Sequence, residues 1–147
     1  MMKTTIAIAL FICLISGSGM LAAHVENSDA RTAGYAVQLH NLVNQYRLRH
    51  DLPQLQLDAH LTKLAQEHNW SMAKQGQLSH DGFEGRFQRA HSTLCVENVG
   101  WNYRTAEAQL EAWRGSTVYD VNLLNADVNR VGIAVFKGYV TYFSCAA

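Results

Sequence analysis

Leu78-Ser79-His80-Asp81-Gly82, a basic and aromatic loop, and then Cys95-Val96-Glu97-Asn98-Val99-Gly100-Trp101-Asn102 form the seam of this chain. Everything before the seam reads as helix, and the chain beyond it reads as one helix and a hairpin, so the segment joins two layers of a fold. It also carries His80 and Glu97, a histidine and a carboxylate, the side-chain types best suited to metal or proton chemistry near neutral pH.

Working outward from the seam toward the N-terminus, a helix is expected from Asp58, a good N-cap with Leu57 placed to staple onto the first turns, to a stop at Gly76. Leu61, Leu64, Ala65, His68 and Met72 make its apolar stripe. His68 on that stripe reads as a neutral core histidine with one satisfied nitrogen, and Trp70 as packing or rim. An earlier helix runs from about Thr32 to His50, with Leu39, Leu42, Val43 and Tyr46 on one face. Arg47, Arg49 and His50 load its C-terminal end, where cations suit the helix dipole, and Asp51-Leu52-Pro53 stops it.

Toward the C-terminus, Thr105 caps a helix carrying Ala106, Leu110 and Trp113, broken at Gly115, with Glu107 and Glu111 on a solvated face. Val131, Ile133 and Val135 alternate, as do Tyr139, Thr141 and Phe143, and Lys137-Gly138 between them fits a two-residue hairpin. With Val96 to Trp101 as a third strand, the fold class is α+β: a small, mostly antiparallel, three-stranded sheet packed among helices. The loop from Phe83 to Arg89 reads as a turn with Phe87 in the core and its two arginines in solvent, the alternative being contact with a lipid or glycan.

Lys3, the apolar run from Ile6 to Ile15 and the small residues through Ala22-Ala23 have the layout of a secretory signal peptide, expected over residues 1–23. A retained N-terminal anchor is the competing reading; a lipid anchor through Cys13 fits poorly, because Leu10-Phe11-Ile12 is bulky. A short segment over 24–35 and one domain over 36–147 complete the chain, so the expected location is secreted or periplasmic. Removing the signal leaves about 124 residues, enough for one core. The 12 basic and 12 acidic residues balance, which gives no electrostatic case for nucleic acid or for an anionic membrane. With Cys13 in the signal, Cys95 and Cys145 remain as an even pair. In an oxidising compartment they are expected to close a loop of about 50 residues, worth about 4 kcal/mol; two free buried thiols are the alternative.

A set of short motifs then falls in a recognisable order: His40-Asn41, Asn44 and Arg47; Leu55, Leu57, Leu61 and Ala65; Leu78-Ser79-His80; Glu97-Asn98-Val99-Gly100; Trp113 and Ser116; Asn122-Leu123-Leu124; Arg130-Val131-Gly132-Ile133-Ala134. In this order the chain resembles the CAP superfamily of cysteine-rich secretory proteins, antigen 5 and pathogenesis-related 1 proteins, and its short bacterial members in particular, from about Val37 to Cys145. The resemblance implies an αβα sandwich with a central cleft, and a cleft tetrad of two histidines and two glutamates able to hold a divalent ion such as zinc. His80 matches the first histidine and Glu97 the glutamate of the Glu-Asn motif. Tyr119 stands where the second histidine belongs, and the other glutamate falls on Ser116.

One His and one Glu make a poor zinc site, and a neutral phenol is a weak substitute ligand. His91 would supply a third ligand only if its loop folds back; otherwise it is solvated. The arrangement expected instead is Tyr119 hydrogen-bonded between His80 and Glu97, with Ser116 nearby in the cleft. Neither a nucleophile elbow nor a phosphate-cradling loop is present in the sequence. The expected function is a non-catalytic binding or interaction module, a monomer, for a small amphipathic ligand or an envelope or host component, with no resident cofactor; relatives that bind lipids suggest the ligand class by resemblance. The rival is a metal-assisted hydrolase using His80 and Glu97, and the third reading an extracytoplasmic scaffold.

Overall fold

The computed structural model of the chain describes residues 18–147. The apolar run from Ile6 to Ile15 and Cys13 lie outside the described residues. Among the described residues, nine elements occur in order: α1 (Ser18–Leu48), β1 (Gln56–Leu57), α2 (Ala59–Gln75), α3 (Phe83–Arg89), β2 (Cys95–Trp101), α4 (Ala106–Arg114), α5 (Thr117–Leu123), β3 (Arg130–Phe136) and β4 (Tyr139–Cys145).

α1 starts well before Thr32, since no proline interrupts the stretch ahead of that residue. Its C-terminal half is anchored by polar side chains as much as by Leu39, Val43 and Tyr46. The Asn44 amide donates to Leu55 O at 3.1 Å and accepts from Leu55 N at 2.8 Å. Arg47 is not a helix-end cation in water: it is fully buried, its Nε donating to Pro53 O and its Nη1 to Leu123 O and Asn125 O at 2.8 to 2.9 Å. Both side chains satisfy loop carbonyls and amides that no secondary structure would pair, so they fix the loops beside the core.

α2 is bounded as its sequence requires. Asp58 accepts from His60 N and Leu61 N, and Gly76 ends the helix in the left-handed region at φ 68°. The Leu61 amide, together with the guanidinium of Arg130, holds the Asp58 carboxyl below its ordinary range against its burial. Leu57 does not staple the helix; it is exposed and pairs with Val131 in β1.

The sheet has four strands rather than three, in the order β1-β3-β4-β2, with β1 parallel to β3 and the other pairs antiparallel. The extra strand is two residues long, too short to leave an alternating pattern. Lys137 and Gly138 both have positive φ, 49° and 81°, as the expected hairpin turn demands. Cys95 and Cys145 are register partners at the end of β2 and β4 and are disulfide-bonded.

Alternation along the strands separates two packed faces. Val96, Val131, Ile133, Val140 and Tyr142 meet α1 and α4 in the larger core, and Phe143, Ala134 and Cys145 meet Leu61, Leu64 and Ala65 of α2 in the smaller one. At Gly132 the first turn of α2 lies directly on the strand: a Cβ there would come 2.1 Å from the Leu61 carbonyl carbon. The result is helices on both faces of a mixed sheet, an α+β sandwich.

α3 and α5 are seven-residue helices where no helix was expected. α5 lies along the outer edge of β2. Trp113 Nε1 donates to Val99 O at 2.8 Å and Asn122 Nδ2 to Glu97 O at 3.2 Å, so side chains cover backbone acceptors of an edge strand that would otherwise be open to pairing.

Candidate functional site

Glu97 sits in the middle of β2, on the face turned toward α2, and is 5% exposed. An isolated carboxylate at that depth is costly, so its two oxygens define the site by what they accept. Arg86 of α3 donates to both: Nε to Oε2 at 2.8 Å and Nη2 to Oε1 at 2.7 Å. His80 Nδ1 reaches Oε1 at 2.9 Å. Burial alone raises a carboxyl pKa, but the hydrogen bonds from His80 and Arg86 and the guanidinium charge override it, and Glu97 sits below the ordinary carboxylate range.

An ionised carboxylate only accepts, so His80 Nδ1 carries the proton. In the neutral ring Nε2 then accepts from the Tyr119 hydroxyl at 3.2 Å, with the two rings 5.9 Å apart and inclined at 61°. The order is therefore Tyr119, His80, Glu97. The expectation that Tyr119 would lie between the other two is corrected: α5 brings the phenol to the outer nitrogen of the ring, because Asn98 Nδ2 holds Tyr119 O at 2.9 Å and Asn122 Nδ2 holds Asn98 Oδ1 at 2.8 Å. The asparagine of the Glu-Asn pair thus sets the distance of α5 from β2 while its neighbour faces the site.

His68 is in the core as expected, with Nε2 donating to Ser79 O at 2.8 Å, which fixes the backbone just before His80. It also stands 3.7 Å from Glu97 Oε1. Burial pushes its pKa down, opposed in part by the Glu97 charge, so it serves as a neutral donor.

Arg86 is the residue that sequence reasoning misplaced. It was expected in solvent; it is buried, its Nη1 donating to Asp81 O at 2.8 Å. The physical cause is α3: Phe83, Phe87 and Ala90 fall at helical spacing on the face that meets α2 and β4, and Arg86 lies on the same face. Phe87 is half-buried, stacked near Phe83. Ser116 occupies the N-cap position of α5, where its backbone bonds to Asp120 N and Trp113 O, and no hydrogen bond joins it to the His80 array. His91 does not fold back toward Glu97 but stacks beside His60, ring centroids 6.2 Å apart.

The donor set does not fit zinc. Both Glu97 oxygens face a guanidinium, the inner nitrogen of His80 is spent on Glu97, and no group of three His, Cys, Asp or Glu side chains placed to hold a metal occurs among the described residues. The carboxylate, imidazole and hydroxyl stand in the order of a nucleophilic triad, but the array is tuned the other way. Burial and the Glu97 charge push the Tyr119 phenol up, away from the phenolate, and Arg86 already neutralises the carboxylate that would stabilise an imidazolium. What the array offers outward is a half-exposed imidazole edge and a phenol, both hydrogen-bonding groups.

A second surface feature lies along the β3 side of the sheet. A groove of about 700 Å³ runs between α1 and α2, floored by Ile133 and Val135, with Ala33, Val37 and Leu57 on its walls. Gln66 also lines a further hollow of about 520 Å³ beside Trp70 and Phe136. Trp70, expected as packing or rim, is 57% exposed, with Lys74 Nζ 5.2 Å from its ring centroid.

Compared with known proteins, residues 40–146 match the profile of the cysteine-rich secretory protein family, the CAP domain. The chain belongs to that family. A Bacillus subtilis relative described as "Uncharacterized membrane protein YlbC" is 28% identical over 111 residues, 71% of this chain and 32% of the relative. An extracellular Bacillus anthracis protein containing an SCP domain superposes with a TM-score of 0.75 at 28% identity, covering 79% of this chain and 41% of that one. An outer surface protein of Borrelia burgdorferi superposes with a TM-score of 0.73 at 18% identity, covering 78% and 94%, which shows the CAP fold. This CAP chain thus spans about a third of the curated relative it matches. No helix among the described residues is long and apolar enough to cross a membrane.

Proposed function

We propose that this CAP domain works outside the cytoplasm as a non-catalytic binding module, and that it takes a small amphipathic ligand into the groove between α1 and α2. The groove carries the reading. Its size is that of a lipid-like ligand site, and apolar Val37, Leu57, Ile133 and Val135 line it together with polar Asp58 and Gln66. The hollow beside Trp70 provides an aromatic face for an acyl chain, and Lys74 places a cation beside it for a polar head. The paired cysteines, the N-terminal apolar run and the extracellular Bacillus anthracis relative support an extracytoplasmic site of action.

Non-catalytic action is supported by the tuning of the His80 array, where the carboxylate is neutralised internally and the phenol is held protonated. The test is titration with a fluorescent fatty acid. Saturable micromolar uptake is expected, lost in Val37→Glu, which puts a carboxylate into an exposed groove wall without touching the core, and kept in His80→Ala. No uptake by wild type, or uptake insensitive to Val37→Glu, contradicts the reading; turnover of an ester substrate that is lost in His80→Ala supports the hydrolase instead.

A further inference from the structure

Arg86 is placed on three partners at once. Its Nε and Nη2 hold the two oxygens of Glu97, its Nη1 holds Asp81 O at 2.8 Å, and its Nη2 lies 3.5 Å from His80 O. It therefore ties α3 to β2 and, through the two carbonyls, ties down the segment that presents His80. A divalent ion in a His-Glu cleft does the same two things: it compensates buried carboxylate charge and orders the segment that brings the histidine. A guanidinium matches a carboxylate in planar bidentate fashion, which a hydrated ion or a lysine does not.

We propose that Arg86 is the resident cation of this site, so that the loop from Leu78 to Gly82 and the His80 ring are ordered without metal. With the guanidinium on both oxygens of Glu97, no room is left there for an ion. Tyr119 keeps contact with His80 as a neutral donor, a role that needs no charge.

The test measures zinc calorimetry and hydrogen exchange of the 78–91 segment on the full chain, in zinc and in EDTA. Wild type is expected to show no saturable zinc heat and the same exchange in both conditions. Tyr119→His alone, with Arg86 in place, stays without saturable binding, because Glu97 remains occupied. Arg86→Ala with Tyr119→His frees the carboxylate and sets a second imidazole beside the first; it is expected to give saturable zinc heat where wild type gives none, with zinc-dependent protection of the segment. Arg86→Lys keeps a cation and the fold while losing the fork, and is expected to remain indifferent to zinc but exchange faster around His80 and Asp81. Micromolar zinc binding by wild type that is lost in Glu97→Gln, or wild-type protection that disappears in EDTA, overturns the proposal; so does zinc binding gained by Tyr119→His alone. Failure of the fatty-acid titration leaves these outcomes untouched, since the groove and Arg86 share no residue.

Discussion

Arg86 and Glu97 form a two-point ion pair, with Nε to Oε2 at 2.8 Å and Nη2 to Oε1 at 2.7 Å, in which neither side chain is appreciably exposed. Breaking such a pair from one side leaves an uncompensated charge in the interior, so Arg86→Ala is expected to cost about 3 to 5 kcal/mol in urea unfolding. Removing both charges with Arg86→Met and Glu97→Leu is expected to cost less than Arg86→Ala alone. The cycle separates the penalty of an orphaned charge from the worth of the pair.

Tyr119→Phe is a contrasting case. Its hydroxyl meets the half-exposed side of His80, where water can replace it, so a loss of no more than about 1 kcal/mol is expected in the same assay. A loss as large as that of Arg86→Ala contradicts the order of the array.

Acid destabilisation is expected in two stages. His68 has a folded pKa depressed below its ordinary 6.5 by burial, so the unfolded chain takes up a proton first and stability falls as pH drops below about 6.5. Glu97 has a folded pKa depressed below its ordinary 4.5, where the hydrogen bonds from His80 and Arg86 override burial. Its contribution is present above about pH 4.5 and is lost as pH falls through the folded value. Urea midpoints measured from pH 7 down through the acid range below pH 4.5 check the sequence of events, and His68→Gln is expected to remove the upper stage.

His68→Ala is expected to cost about 1 to 3 kcal/mol, because a buried donor to Ser79 O disappears and a cavity opens beneath α2, while fatty-acid uptake is unchanged. A change in uptake with no change in stability contradicts its placement in the core.

Gly132→Ala tests the packing of α2 on β3. The added Cβ meets Leu61 backbone, not a movable side chain, so the helix must shift or the strand must bend, and a cost of about 3 kcal/mol is expected. Gly85→Ala, where a Cβ meets nothing within 4 Å, is the control and is expected to be neutral or slightly stabilising.

The parts of the fold that were legible in the sequence are those whose signal is local. Asp58 and Gly76 mark α2 because a cap oxygen and a left-handed glycine act within one turn, and Lys137-Gly138 marks the hairpin because two positive φ angles suit few residue pairs. β1 was not legible: two residues become a strand only because Arg130 and Val131 lie beside them. The seven-residue α3 and α5 hold barely two turns, too few for a periodicity, and Gly85 and Val118 weaken their propensity. His80, Glu97 and Tyr119 stood out by resemblance, but their order depends on where α5 lies along β2. Arg86 was hidden because a buried arginine is recognised by its partner, and Glu97 is on another element. The usable signal was that, once Phe83, Phe87 and Ala90 are taken as one helical face, Arg86 falls on it and requires a buried anion.

The most direct measurement is a crystal structure of the full chain grown in the presence of zinc, with anomalous scattering recorded at the zinc edge. Arg86 bidentate on Glu97 with no anomalous peak within bonding distance of His80 or Glu97 is the predicted result. A zinc peak bridging His80 and Glu97, with the Arg86 guanidinium displaced from the carboxylate, contradicts the account.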